Sequence, residues 1–307
     1  MQEMNRTNNY MQKKTLIIGS AVADITIRVD HLPGLEEDVN PYSQTMHLGG
    51  CAYNTANMFR LMKEPFDLCA PVGTGIYGDF VRRKLEEKGI RILFESPEEN
   101  GCCYCIVDEQ GRRTFLSVHG AEYRFEKNWF DRLDADAYTM GYCCGFELEE
   151  DTGEYILDFF RKHPSLPFCY APGPRIMSVP HDRQEALLDL HPLLHLNLKE
   201  ARALLHRTKT ETEEMRICAG LLAERTGNTV IITDGENGCG CMENGQWMLV
   251  LAEPLDHVVD STGAGDAHIG TYLACRQKGM GTYDALVQAS HIGARVCTVH
   301  GAVLEEL

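Results

Sequence analysis

The sequence has no apolar run of about 18 residues, the length that a membrane-spanning helix needs. Its first residues, MQEMNRTNNYMQKK, are polar and contain no apolar core of the kind found in a signal peptide. We therefore predict no membrane span and expect a cytoplasmic protein. Residues 1–14 are predicted to form a disordered tail before the first strand.

Positive charge is also scarce. Lys and Arg total 29 against 45 Asp and Glu, which gives a net charge of −16 and a pI of about 5.2. Binding of a polyanion needs clustered basic side chains, so this balance argues against a nucleic-acid partner and against an anionic membrane surface. A phosphorylated small ligand stays compatible with it, because backbone N–H groups at a helix start and a metal ion can hold phosphate.

Among the thirteen cysteines, the pairs Cys102-Cys103 and Cys143-Cys144 and the stretch Cys239-Gly-Cys241 do not show the C-x-x-C spacing of a zinc site. Without a secretion signal to favour disulfides, we expect reduced and mostly buried thiols. The chain also lacks internal repeats and low-complexity linkers. We therefore predict a single α/β domain over residues 15–307.

Short apolar runs alternate with amphipathic stretches along the chain. Strand-like runs include TLIIG, FDLCAPV, PFCYA, LLHLNL, TVIIT and QWMLVL, and helix-like stretches include DFVRRKLEEKG and EEMRICAGLLAERTG. This alternation predicts a mostly parallel sheet covered by helices. Residues 25–48 and 102–118 are strand-like with no helix after them. They predict a small β-sheet lid over a cleft, which would exclude water from the chemistry.

One glycine pattern admits two interpretations. Gly73, Gly75 and Gly78 are spaced G-x-G-x-x-G between an apolar run and an amphipathic stretch, and Glu95 follows about 20 residues later. These features fit a dinucleotide-binding fingerprint. The alternative is a strand-to-helix turn that needs glycines for close packing.

A second glycine-rich stretch, VVDSTGAGDAHIG, covers residues 258–270. It predicts a tight turn at the end of a strand, in which Gly263 and Gly265 let a ligand approach the backbone N–H groups of the next helix. Asp266 inside such an anion hole makes sense as a base that takes a proton from an attacking hydroxyl. The alternative is a helix-start acid. No Gly-Lys-Ser/Thr follows, so this is not a Walker loop.

The stretch Asp260-Ser261-Thr262-Gly263-Ala264-Gly265-Asp266 resembles the D-T-x-G-A-G-D signature of the ribokinase-like (PfkB-type) carbohydrate kinases. Four more motifs of that family stand in the same order and spacing. They are Asp24 in IIGSAVADITIRVDHLPG, Gly49, Gly50 and Asn54 in GGCAYNTA, Asn197 and Glu200 in LNLKEA, and Thr233 and Gly235 in IITDGENG. In this family the segment that begins at Val72 commonly reads V-G-x-D-x-x-G. One substitution, at Gly75, therefore produces the apparent dinucleotide fingerprint, and we favour the turn.

The resemblance implies a three-layer ribokinase-like core with a small β-sheet lid, and an ATP-dependent kinase that phosphorylates a hydroxymethyl group of a sugar. It implies these roles: Asp266 as general base beside Gly263, Ala264 and Gly265; Asp24, Gly49, Gly50 and Asn54 for the acceptor; Asn197, Thr233, Gly235 and Ser290 for the nucleotide; Glu200 with Asn197 for Mg²⁺ through waters; and Asp260 for a monovalent cation such as K⁺. Asn197 and Glu200 also read as a helix-start cap.

Two rivals stay open, and three positions depart from the family pattern. A nucleoside kinase would be favoured by an aromatic ring over the acceptor pocket, and a non-catalytic sugar or nucleotide sensor is disfavoured by the intact Asp266. Cys51 stands where ribokinases often carry lysine, which weakens the case for ribose. His268 and Ala171 replace an aromatic residue and an Asp, respectively.

Family relatives often pair through their lids, so we expect a homodimer. The sequence pattern assigns an exposed apolar lid face to Val29, Cys103, Cys105, Val107 and Phe115. Exposed apolar surface of this kind usually finds a partner.

Overall fold

The computed structural model describes residues 14–207 and 213–307. The predicted tail lies outside these residues, apart from Lys14, which begins the first strand. In the part of the chain that is described, no helix is both long and apolar enough to cross a membrane.

An eight-stranded sheet forms the centre of the molecule. Its strands are β1 (Lys14–Ile18), β4 (Phe66–Cys69), β9 (Tyr138–Cys144), β10 (Phe168–Ala171), β11 (Leu193–Asn197), β12 (Val230–Thr233), β13 (Cys239–Glu243) and β14 (Gln246–Val250). Their order is β14-β13-β12-β11-β10-β9-β1-β4. All pairs are parallel except β12–β13 and β13–β14. The parallel strands are almost wholly buried, because helices cover both faces of such a sheet.

Ten helices surround this sheet within the described residues. They are α1 (Cys51–Met62), α2 (Gly75–Glu87), α3 (Lys127–Phe130), α4 (Phe146–Glu149), α5 (Gly153–Lys162), α6 (His181–Leu188), α7 (Leu198–Leu204), α8 (Glu214–Thr226), α9 (Ala264–Gln277) and α10 (Thr282–Val296). Helices α1, α2, α9 and α10 share one apolar core, and α5, α6, α7 and α8 share another. The predicted α/β fold with helices on both faces of a mostly parallel sheet is confirmed.

A separate four-stranded sheet confirms the predicted small β appendage. It consists of β2 (Val22–Arg28), β3 (Ser43–Gly49), β7 (Cys102–Val107) and β8 (Arg113–Val118), in the order β3-β2-β7-β8. Strands β7 and β8 form an antiparallel hairpin. Residues 29–42 connect β2 to β3 without strand structure, so only the ends of the predicted segment 25–48 enter this sheet.

The G-x-G-x-x-G stretch lies in a strand-to-helix turn outside the main sheet. Strand β5 (Pro71–Thr74) pairs with β6 (Phe94–Glu99) in a two-stranded parallel sheet. A Cβ on Gly78 would lie 2.4 Å from the carbonyl oxygen of Gly73, and Gly75 has a φ of +77°. Glu95 bonds to Arg82. These glycines therefore serve close packing and a left-handed turn, which is the interpretation that the family resemblance favours.

The prediction that the small sheet exposes an apolar face formed by Val29, Cys103, Cys105, Val107 and Phe115 is wrong. Cys103 and Cys105 lie opposite Asp24 and Thr26 in the register, and Phe115 lies opposite Cys105. These side chains share the face that lines a large cleft, and Val29 is buried. Strand alternation separates two faces but does not tell which of them the core covers. On the opposite face Ile25 is buried and Tyr104 bonds to Tyr77 of α2, and the two edge strands expose Met46, Leu116 and Val118.

Candidate active site

A cleft of about 840 Å³ separates the small sheet from the carboxyl ends of the central strands. In open parallel sheets this edge is where ligands bind. Nine of the residues that the sequence assigns to the site line the cleft: Asp24, Gly50, Asn197, Glu200, Thr233, Asp260, Gly263, Gly265 and Asp266. The main sheet and the small sheet thus contribute opposite walls of one site.

The turn that precedes α9 has the geometry of an anion hole. Gly263 adopts a left-handed φ of +75°, and a Cβ there would lie 2.1 Å from the carbonyl oxygen of Ala302. A Cβ on Gly265 would meet nothing within 4 Å, because Gly265 faces the open cleft. The backbone N–H groups at the start of α9 are therefore accessible to an anion. Ala264 is the first residue of the helix and does not line the cleft.

Asp266 lies in the first turn of α9, at the floor of the cleft. The side-chain amide of Asn54, on α1, donates to Asp266 Oδ2 at 2.9 Å, and the Cys51 thiol also hydrogen-bonds to this carboxylate. Burial raises the pKa of Asp266 to about 6, although the hydrogen bonds from Asn54 and Cys51 oppose that shift. A carboxylate with such a pKa is ionised at neutral pH and still basic enough to accept a proton.

Asp24 approaches the same point from the small sheet. A Cβ on Gly49 would lie 1.8 Å from Asp24 Oδ2, so the carboxylate occupies the space that any other residue at position 49 would fill. Gly50 adopts a φ of +98°, where a Cβ would lie 2.6 Å from the Ser20 carbonyl oxygen. Burial, and then the nearby Asp266, raise the pKa of Asp24 to about 7. The two glycines thus let two carboxylates converge on one small volume.

Asn197 and Glu200 form a complete capping box at the start of α7. Asn197 Oδ1 accepts from the Glu200 N–H at 2.8 Å, and Glu200 Oε2 accepts from the Asn197 N–H at 2.9 Å. Asn197 Nδ2 also donates to Glu200 Oε1 at 2.6 Å. The helix-cap interpretation is therefore confirmed. It leaves the Glu200 carboxylate on the cleft wall, where burial raises its pKa to about 7.

The other residues that the sequence predicts for nucleotide binding differ in their position relative to the cleft. Thr233 lines the cleft and lies beside Asn197 in the sheet register. Gly235, in a short 3₁₀ turn, and Ser290, on α10, do not line it. The Ser290 hydroxyl lies 3.3 Å from the Cys239 thiol. Within the described chain no group of three or more His, Cys, Asp or Glu side chains is placed to hold a metal ion by itself.

Two groups in the cleft were not found by sequence reasoning. Arg113 extends from the small sheet and bonds to the turn before α9. The rings of Tyr123 and Phe146 also line the cleft, with centroids 6.4 Å apart. Beneath the site, His195 Nε2 lies 3.1 Å from His268 Nδ1, so His268 packs in the core. Neither Arg113 nor the pair of rings belongs to a short motif, so only the folded chain brings them to the cleft.

Comparisons with known proteins agree with this geometry. Residues 12–306 match the family model described as pfkB family carbohydrate kinase. The chain is 26% identical over 286 residues to a protein of Escherichia coli K12 called uncharacterized sugar kinase YegV, covering 93% of this chain and 88% of that protein.

Two solved structures share the fold. One is Arabidopsis thaliana ribokinase complexed with ribose and ATP, with a TM-score of 0.79 at 18% identity and coverage of 95% of both chains. The other is a Burkholderia thailandensis nucleoside kinase in complex with inosine, with a TM-score of 0.76 at 19% identity and coverage of 94% of this chain and 91% of that one.

Proposed function

Because the chain belongs to the pfkB family of carbohydrate kinases, we propose that it transfers the γ-phosphoryl group of ATP to a hydroxymethyl group of a sugar or sugar-like acceptor. The observation that carries this proposal is the contact between Asn54 and Asp266. It lies directly beside the turn formed by residues 260–263 before α9, which we call the anion turn. It puts a proton acceptor and unpaired N–H donors at one point, which is the arrangement that phosphoryl transfer to a hydroxyl requires.

In the proposed reaction each wall of the cleft has a separate task. Asp24 and Asn54 accept and donate hydrogen bonds to acceptor hydroxyls and orient one of them toward the phosphorus. Asp266 takes the proton as the acceptor oxygen bonds to the γ-phosphorus and the bond to ADP breaks. The N–H groups that open α9 stabilise the charge of the transferred group, and the small sheet keeps water out.

Magnesium, when bound with the nucleotide, would neutralise phosphate charge. The Glu200 carboxylate fits a supporting role, because it faces the cleft and burial raises its pKa, so that a nearby cation would favour its ionised form. Because Asn197 holds the Glu200 side chain in the capping box, we expect Glu200 to contact waters bound to the metal and not the metal directly.

A nucleoside kinase is the second candidate, and one observation favours it. The Tyr123 and Phe146 rings line the cleft, and Tyr123 stacks on His119 with centroids 4.0 Å apart. Such a cluster offers a planar, apolar surface to a base. The same rings suit the apolar face of a sugar derivative, so a direct assay must decide.

A coupled assay of ADP release over pentoses, hexoses, sugar acids and nucleosides tests the proposal. We expect one sugar class to give a kcat/KM at least about tenfold above every nucleoside, a difference of about 1.4 kcal/mol in transition-state binding. Asp266→Asn protein run in parallel sets the background of uncoupled ATP hydrolysis. If a nucleoside gives the highest kcat/KM, the second candidate, a nucleoside kinase, is supported instead. Nucleotide binding without turnover of any acceptor would make the protein a sensor.

We also propose a homodimer through the small sheet, whose two edge strands, β3 and β8, expose Met46, Leu116 and Val118 on the face opposite the cleft. Light scattering at micromolar protein should report about twice the 34.5 kDa chain mass. Leu116→Glu should shift the protein to a monomer, because it buries a charge in an apolar interface. Met177→Glu alters an equally exposed apolar residue elsewhere and serves as the control. A monomeric parent protein contradicts the proposal.

A further inference from the structure

Arg113 joins the small sheet to the anion turn. It is the first residue of β8, and its guanidinium bonds to the Asp260 carboxylate. The same group donates to Thr262 Oγ1 at 2.6 Å and to Ser261 Oγ at 3.0 Å. Three consecutive residues of the turn are thus held by one side chain, which comes from the opposite wall of the cleft.

This contact bears on the monovalent cation that the family resemblance implies at Asp260. Asp260 Oδ1 accepts both from Arg113 and from the Thr262 N–H, the latter at 2.8 Å. A positive group of the chain itself therefore compensates the carboxylate, and the residues present do not fit an additional K⁺.

We propose that Arg113 is the chain's own cation for Asp260, so that the anion turn is completed by the small sheet and the reaction requires no inorganic monovalent cation. A guanidinium suits this place because its donors are arranged in a planar fork and it stays charged at every accessible pH. A tethered cation also binds without the entropy loss of capturing a free ion.

A second contact on the same edge of the small sheet supports this arrangement. Arg28 Nη2, on β2, lies 2.9 Å from His300 Nδ1 in the C-terminal segment. Arg28 and Arg113 are both opposite Val107 in the sheet register, so the two arginines extend from one row of the sheet. Together the two arginines join this end of the small sheet to the anion turn and to the C-terminal segment, whose Ala302 packs on Gly263.

The first test uses the protein without nucleotide or acceptor, so its result does not depend on the proposed kinase function. Thermal unfolding is measured in K⁺ and in tetramethylammonium at equal ionic strength. The parent protein should show the same midpoint in both. Arg113→Ala should unfold at a lower temperature and regain part of the loss in K⁺ only, because the exposed Asp260 then accepts an ion. The control is Arg112→Ala, which removes a neighbouring exposed arginine that pairs with Asp108 instead.

The kinetic test rests on the proposed function and uses the best acceptor from the ADP-release screen. Parent activity should change less than about twofold between K⁺ and tetramethylammonium. Arg113→Ala should lose about 10- to 100-fold in kcat/KM, the range for a hydrogen-bonded charge. Millimolar guanidinium or K⁺ should restore a large part of that loss, whereas the Arg112→Ala control should respond to neither.

Three results would overturn the inference. One is strong K⁺ activation or K⁺ stabilisation of the parent protein, which would place an inorganic ion at Asp260. Another is an Arg113→Ala variant with parental stability and activity. The third is an impaired variant that neither K⁺ nor guanidinium rescues in either test, because Arg113 would then act on the nucleotide and not on Asp260.

Discussion

Replacing Asp266 by Asn should lower turnover by about 10²- to 10⁴-fold, the range for loss of a general base. Asn retains the size of Asp266 and can still accept the hydrogen bond that Asn54 donates at 2.9 Å. The acceptor's KM should change little, because Asp24 and Asn54 do most of the holding in the proposed site. The measurement is kcat and KM from ADP release at saturating ATP.

The control is Asp284→Asn, which alters the acid in the first turn of α10. If Asp266 were only a helix-start acid, the two variants would behave alike, so activity of Asp266→Asn within a few-fold of the parent contradicts the assignment. Thermal unfolding shows whether the fold is retained. Because burial raises the pKa of Asp266 to about 6, its ionised form destabilises the folded state above that pH. The variant should therefore unfold at a higher temperature than the parent at pH 8.

The pH profile adds a second signature of the base. With its pKa near 6, Asp266 is protonated and inactive at pH 5 and ionised at pH 8, so parental kcat/KM should rise with pH over this interval. Asp24, with a raised pKa of about 7, contributes to the same rise. The Asp266→Asn variant should retain only the portion of the rise in kcat/KM that comes from ionisation of Asp24. An unchanged profile shape in the variant would exclude Asp266 as the titrating base.

Local sequence predicted the glycines and the helix start at α9, because that turn depends on backbone conformations that glycine alone adopts easily. The strand expected to end at Val258 and Val259 was wrong, since both residues are exposed and form no strand. Gly263 is required at +75°, and Gly265 leaves the cleft open. The convergence of Asp24 with Asn54 and Asp266 needed the family resemblance, since no local pattern links residues 24 and 266. Arg113 was missed for the same reason. Its partner Asp260 is 147 residues away, and an arginine in a hairpin usually faces solvent.

The error on the small sheet has a different physical origin. Alternation assigned Cys103, Cys105 and Phe115 correctly to one face. The sequence pattern then assumed that the apolar face was the outer one. In the structure this face lines the cleft beside Asp24, while Leu116 is exposed on the outside. Which face is covered depends on how the sheet docks on the core, and that is a tertiary property that periodicity does not contain.

Two predictions were made for Asn197 and Glu200, a helix cap and a magnesium site. The structure makes them compatible, since the capping box leaves the Glu200 carboxylate on the cleft wall. Removing magnesium with a chelator should abolish ADP formation, because the phosphate charge is then not neutralised. Glu200→Gln separates cap from charge, because Gln also completes a capping box. This variant should bind acceptor normally and need several-fold more free Mg²⁺ for half-maximal rate.

The pH dependence of the magnesium requirement sharpens this test. Burial raises the pKa of Glu200 to about 7, so its carboxylate is mostly protonated at pH 6 and mostly ionised at pH 8. The Mg²⁺ concentration for half-maximal rate should therefore fall as pH rises in the parent, and should fall less in Glu200→Gln. Initial rates against free Mg²⁺ at fixed ATP measure both, and unfolding midpoints check that α7 keeps its cap. If the variant needs no more Mg²⁺ than the parent at pH 8, Glu200 serves α7 alone and the metal is held without it.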